Sequence, residues 1–114
     1  MRDNLVEWQW STYARNHRDP RNLLIHLVAV PGFGIGLVGG LLAIGFDLVW
    51  LGLSGFGLTA VCFVLQAVGH RLEAEPPIPF DGPGDAIARI LTEQFLTFWR
   101  YLASGDYLRA FKKA

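Results

Sequence analysis

Charge is what the middle of this chain lacks. Between Leu23 and Gly69 the one charged side chain is Asp47, although the 114 residues carry ten Lys and Arg and ten Asp and Glu overall. Cysteine is nearly absent too. Cys62 stands alone, which excludes an intrachain disulfide and every cysteine-only metal motif, and its surroundings suit a buried, inert thiol. The formal net charge is zero, and no basic stripe with interleaved aromatics occurs, so nucleic acid is not an expected partner. No Ser/Gly-rich linker, charge block or internal repeat divides the chain, and one domain over 1–114 is expected. The opening residues include Arg2, Asp3, Glu7, Trp8 and Trp10 instead of an apolar core with a cleavage site, so no removable targeting segment is read there. Histidine is scarce as well: His17, His26 and His70 are the full complement, and they flank the apolar block.

The block itself reads as a hairpin over about residues 23–70. Pro20 fits the first helical position and Asp19 can cap it. From Leu27 to Phe46 the side chains are uncharged, enough helix for roughly 30 Å and hence for the hydrocarbon core of a bilayer. Pro31 should kink this helix. Gly45, Phe46 and Asp47 suit a tight turn, with Asp47 capping a second apolar helix from Leu48 to Gly69. Gly32, Gly36 and Gly40 recur every four residues and form a smooth groove that suits close approach of another backbone, including a second copy in a homodimer. A soluble bundle would bury both long helices, and too little chain remains to cover them. All ten cations, from Arg2 to Arg21 and from Arg71 to Lys113, lie outside the hairpin. By the positive-inside rule both termini are cytoplasmic, in the inner membrane if the cell is bacterial.

The flanks are helical and amphipathic. Val6, Trp10 and Tyr13 approach helical spacing between Asn4 and Asn16. Pro76, Pro77, Pro79 and Pro83 make an extended connection. A helix over about 85–103 then sets Ile87, Ile90, Leu91 and Phe95 against Asp85, Arg89, Glu93 and Arg100, which suits the membrane surface or the cytoplasmic mouth of the hairpin. Gly105 should end it, with Asp106 capping a short last helix. The expected fold is a small all-α membrane protein.

In an antiparallel hairpin centred between Asp47 and Leu48, His26 and His70 sit at nearly the same depth, so both could bind one ion. His17 is nine residues from His26, on the opposite side of a straight helix, but the break at Pro20 lets the first helix fold back. Glu73 shares a helical face with His70, a spacing that metal-carboxylate bundles use. Gln66 and Asn22 stand four residues before His70 and His26, placed to orient the rings. Three imidazoles and a carboxylate favour Fe(II) or Zn(II) over Mg(II) or Ca(II). Gly32 to Gly36 is not a nucleotide loop, since no strand precedes it, and Ser11, Ser54 and Ser104 have no sequence-local histidine-acid pair.

The run Tyr13-Ala14-Arg15-Asn16-His17-Arg18-Asp19-Pro20-Arg21-Asn22-Leu23-Leu24-Ile25-His26, with Pro31 beyond, resembles the opening of the Mpo1-like family. So does Gln66-Ala67-Val68-Gly69-His70-Arg71-Leu72-Glu73 followed by Pro76 and Pro77. The resemblance implies a membrane Fe(II)-dependent dioxygenase that takes O2 and a 2-hydroxy fatty acid and shortens the acyl chain by one carbon. It places His17, His26 and His70 as catalytic metal ligands with Glu73 as the matching acid, and Tyr13 with Asn22 and Gln66 in support. Arg18, Arg21 and Arg71 are candidates for the substrate carboxylate, and the acyl tail would lie in the bilayer or along the glycine groove. Two other readings fit the same residues: a haem carrier with His26 and His70 as axial ligands, and a non-enzymatic scaffold whose histidines anchor helix ends.

Overall fold

The computed structural model describes residues 3–113; Arg2, one of the cations counted above, lies outside them with Met1 and Ala114. The described residues are all-α, with no strand. Helix α1 is Leu5–Tyr13 and runs into a 3-10 turn, Ala14–Asn16; α2 is Pro20–Gly45 and α3 is Val49–His70. After the proline-rich connection come α4, Pro83–Thr92, a π-helical turn, Glu93–Thr97, α5, Phe98–Ala103, and α6, Asp106–Lys113.

Helix α2 begins as its residues dictate, with Pro20 at its first turn and the Asp19 carboxylate accepting from the Arg21 amide at 2.8 Å. It runs on through Pro31 to Gly45. At 1.5 Å per residue α2 is about 39 Å long and α3 about 33 Å, both longer than the roughly 30 Å apolar core of a bilayer. Both are long and apolar enough to cross a membrane. The turn between them corrects one expectation. Asp47 takes a left-handed conformation, φ 60°, so it is part of the turn, and Leu48 precedes α3 without any side-chain cap.

The glycine groove is corrected as well, because α3 of the same chain fills it. A Cβ on Gly36 would sit on the carbonyl oxygen of Gly55 and against Thr59, one on Gly40 would meet the Phe56 ring at 2.8 Å, and one on Gly32 would meet Cys62 Sγ at 2.6 Å. Gly52 and Gly55 of α3 return the contact, and the Thr59 hydroxyl donates to the Phe33 carbonyl at 3.0 Å. With the seam closed, the groove offers no surface to a second copy or to an acyl tail.

The orientation of α4, the π turn and α5 decides what surrounds the molecule. Asp85, Arg89, Gln94 and Thr97 are buried, while Ile87, Leu91, Phe95, Leu96 and Trp99 are exposed. Across the described residues the buried set holds ten hydrophobic and ten polar or charged side chains, whereas a water-soluble domain concentrates apolar groups inside. The even split, with large apolar side chains exposed along the helices, suits surroundings that are apolar over much of the surface. The one sizeable apolar cluster lies under α1, α5 and α6, where Tyr13, Leu23, Phe98, Tyr101 and Tyr107 pack together and the Tyr107 hydroxyl donates to the Leu23 carbonyl at 2.7 Å.

The seam between α2 and α3 gives a paired prediction. Gly36→Ala is expected to lower the unfolding free energy in detergent by about 1–3 kcal/mol, because its methyl meets backbone. Gly39→Ala, with nothing within 4 Å of its Cβ, should instead raise it by up to about 1 kcal/mol. Equal responses in thermal unfolding would show that the two helices do not meet along this face.

Candidate metal centre

Each histidine reaches the centre by a different route. His26 is in the second turn of α2 and His70 ends α3, so the antiparallel pairing sets them level. His17 follows the 3-10 turn at φ −136°, ψ 64°, where the chain leaves helix and reverses towards Pro20. The reversal is held by Glu73. Both carboxylate oxygens accept from the Arg18 and Asp19 amides at 2.9–3.1 Å, and Oε2 accepts from Asn22 Nδ2 at 2.7 Å. Gly69 leaves the room for this contact, since a Cβ there would collide with Asn22 Oδ1.

The three rings meet edge to face, every pair with centroids 4.8 Å apart. His17 Nδ1 lies 2.7 Å from the Tyr13 carbonyl and His26 Nδ1 lies 3.0 Å from the Asn22 carbonyl. Each Nδ1 therefore donates its proton to backbone, which fixes the tautomer that leaves Nε2 as a bare lone pair. The fourth member is Glu93, whose Oε2 stands 3.2 Å from His17 Nε2 and 3.5 Å from His26 Nε2. Those are ion-pair distances without hydrogen-bond alignment: His17 Nε2, His26 Nε2 and His70 Nδ1 are all buried with no hydrogen-bond partner.

Burial pushes the Glu93 carboxyl up, but positive charge at His17 and His26, a proton or an ion taken up on their Nε2 atoms, outweighs burial and holds it well below the usual carboxylate range. Burial pushes the Tyr13 hydroxyl up, and the Glu93 charge pushes it further. Tyr13 therefore stays protonated and donates to Glu93 Oε2 at 2.9 Å, while its ring stacks on His17 at 3.7 Å between centroids.

One ligand atom from each of His17, His26, His70 and Glu93 lies within 4.8 Å of the others. A buried nitrogen lone pair without a donor costs about 1–3 kcal/mol, and three of them facing a carboxylate make a place that favours positive charge. The nitrogen-rich donor set suits Fe(II) or Zn(II). The same close packing removes the haem reading, because rings this near one another leave no slot for a planar macrocycle between His26 and His70.

Glu73, expected as the acid of the centre, is corrected by this geometry: its oxygens are committed to backbone amides and Asn22, and Glu93 is the carboxylate that faces the imidazoles. Tyr13 stacks on His17 and the Asn22 carbonyl holds His26, whereas the Gln66 amide, expected to orient a ring, bonds Gln94. Arg18, Arg21 and Arg71 do not line the cavity next to the centre; Arg18 pairs with Glu75 at 3.7 Å, Arg21 with Asp19 at 2.8 Å, and Arg71 is exposed.

That cavity, about 290 Å³, has His17, His70 and Glu93 in its wall. Its arginine is Arg89, which sequence placed on a solvated helix face. In the fold Arg89 is buried, donates to the Ile78 and Pro79 carbonyls at 2.7 and 3.2 Å, lies 3.4 Å from Asp85 Oδ2, and faces the Trp8 and Phe80 rings. It clamps the proline-rich segment down as one wall of the cavity. Gln9 ties α1 to the same helix, donating to the Arg89 carbonyl at 3.0 Å and accepting from the Thr97 hydroxyl.

The two acids are separable by experiment. Glu73→Ala leaves the half-buried Arg18 and Asp19 amides without an acceptor and Asn22 Nδ2 with only the Asn16 carbonyl at 3.5 Å, and should destabilise the metal-free protein by about 2–4 kcal/mol. Glu93→Ala orphans one donor, the Tyr13 hydroxyl, so it should cost the metal-free protein less, about 1–2 kcal/mol, but sharply reduce the rise in melting temperature on adding metal, a rise worth about 2.7 kcal/mol at a hundredfold excess over Kd. Thermal unfolding with and without Fe(II) or Zn(II) reads both, and reversal of the two responses would contradict the assignment.

Neither the curated proteins nor the solved structures yield a match. The family described as 2-hydroxy-palmitic acid dioxygenase Mpo1-like matches residues 4–103, a span that holds all three histidines, Glu73 and Glu93. A match over that much of the chain, running from α1 to the end of α5, makes this protein a member of the Mpo1-like family.

Proposed function

We propose that this protein is an integral membrane Fe(II)-dependent dioxygenase that shortens 2-hydroxy fatty acids by one carbon. The observation that carries the reading is the convergence of three unpartnered imidazole nitrogens and one carboxylate beside a cavity whose wall holds His17, His70 and Glu93. Family membership supplies the reaction class. His17, His26, His70 and Glu93 would hold the metal, and Fe(II) rather than redox-inert Zn(II) would supply the electron chemistry that O2 requires.

The cleavage balances with O2 alone. The C1–C2 bond breaks, C1 leaves as CO2, C2 becomes the new carboxyl group, and one water forms. For this the chain must keep the ligands fixed, keep bulk water out and hold the substrate head against the centre. The carbonyls of Tyr13 and Asn22 fix the rings of His17 and His26, and the Tyr13 hydroxyl fixes Glu93.

Access for an acyl chain is argued from the rim. Phe63 and Ala67 of α3 both line the cavity and lie exposed on the apolar outer surface, as do Ile78 and Phe80 of the proline-rich segment. A chain lying in a leaflet can pass between these side chains with its head towards the imidazoles, without crossing water. In this reading α2 and α3 span the bilayer, both termini face the cytoplasm, and the centre lies near the cytoplasmic headgroups.

The test is metal analysis and O2 uptake of protein purified anaerobically in detergent and supplied with 2-hydroxyhexadecanoate. About one Fe per chain and substrate-dependent O2 uptake are expected, with both lost in His70→Ala. O2 uptake by metal-free protein, or full activity in His70→Ala, would overturn the reading.

A further inference from the structure

Apart from the metal ligands, the most concentrated polarity in the cavity wall is a pair of amides. Gln66 of α3 and Gln94 of the π turn are both buried, and they bond reciprocally: Gln66 Nε2 donates to Gln94 Oε1 at 2.9 Å and Gln94 Nε2 donates to Gln66 Oε1 at 2.6 Å. Gln66 lies one helical turn before His70, and Gln94 directly follows Glu93, so the pair borders the metal centre through both chains. In the π turn that carries them, Glu93 and Gln94 both line the cavity although they are consecutive in sequence. Such widened turns recur at functional sites. The Gln94 carbonyl is occupied by the Trp99 indole N–H at 2.9 Å, which anchors the turn from the far side.

A primary amide has two N–H donors and two acceptor lone pairs. The reciprocal pair uses one of each per residue, leaving each glutamine one N–H and one lone pair beside a cavity otherwise walled here by Phe63, Ala67 and Ile90. An apolar pair of the same size would fill this position at no polar cost, so the spare hydrogen-bonding capacity has a use only when something polar occupies the cavity.

We infer that the Gln66–Gln94 amide pair reads the head of the bound acid, its lone pairs accepting from a 2-hydroxyl and its N–H groups donating to the carboxylate. The inference rests on the substrate class proposed above and assigns specificity to two positioning residues outside the ligand set. A 2-hydroxyl can donate to the pair; a 2-oxo group or an unsubstituted C2 cannot. A site of this kind discriminates against an analogue lacking the hydroxyl because its buried amides are then left unpaired.

The test compares binding of 2-hydroxyhexadecanoate and hexadecanoate to metal-loaded protein in detergent under anaerobic conditions, read by fluorescence with Trp8 in the cavity wall. The equal chain lengths cancel micelle partitioning. Wild type should prefer the 2-hydroxy acid, and the double variant Gln66→Leu/Gln94→Leu should keep its metal content but lose roughly tenfold or more of that preference, hexadecanoate weakening less because it forfeits the carboxylate contact alone. Gln66→Met/Gln94→Met provides the same comparison if the leucine pair does not fold. No preference in wild type, a preference unchanged in the double variants, or an equal loss for both acids would overturn the inference. None of these outcomes depends on O2 uptake, so the dioxygenase reading and this one fail separately.

Discussion

His17 and His26 share a centre only because the chain reverses between them, and Glu73 holds that reversal. A buried carboxylate accepting two consecutive backbone amides and an asparagine side chain is a strong, directional anchor. It joins the segment just past α3 to the start of α2, and so couples the closing of the hairpin to the placement of His17. Without it, the reversal between His17 and Pro20 loses its acceptor, and the stack of Tyr13 on His17 and the hydroxyl that orients Glu93 lose their support from that side. The metal centre is thus a consequence of a hydrogen-bonded bend that contains no metal ligand on its acid side.

What the fold then tolerates is costly. Three imidazole lone pairs are withdrawn from any donor at about 1–3 kcal/mol each, a sum comparable with the whole stability margin of a small domain. The rest of the structure offsets this by fixing every participant from outside: Tyr13 and Asn22 carbonyls on two rings, a phenol on the carboxylate, and the glycine seam that lets α2 and α3 approach until His26 and His70 meet. A bound cation would recover the cost, which is the thermodynamic argument that the arrangement exists to hold one.

Much of this was legible in the residues. The start of α2 follows from Asp19 and Pro20, the hairpin from the uncharged run, and the level placement of His26 and His70 from counting outwards from the turn. Spacing also set Asn22 and Gln66 one turn before two of the histidines, and the resemblance added Tyr13. Glu93 was not legible. It sits on a helix whose polar face reads as solvated under the usual rule, and that rule inverts here, so Asp85, Arg89, Glu93 and Gln94 point inward while Ile87, Leu91 and Phe95 point out. Glu73 misled because proximity to His70 along one helix says nothing about competing backbone donors brought in by Arg18 and Asp19. The glycine repeat announced close packing but not its partner, which proved to be Gly52 and Gly55 of the same chain.

The most direct test of the account is X-ray absorption spectroscopy of the metal-loaded protein. Scattering from three imidazoles and one carboxylate oxygen at about 2.0–2.2 Å is expected, with the oxygen contribution diminished by Glu93→Ala and kept in Glu73→Gln. An all-oxygen shell, or a shell with a single imidazole, would contradict the convergence of His17, His26, His70 and Glu93 on one ion.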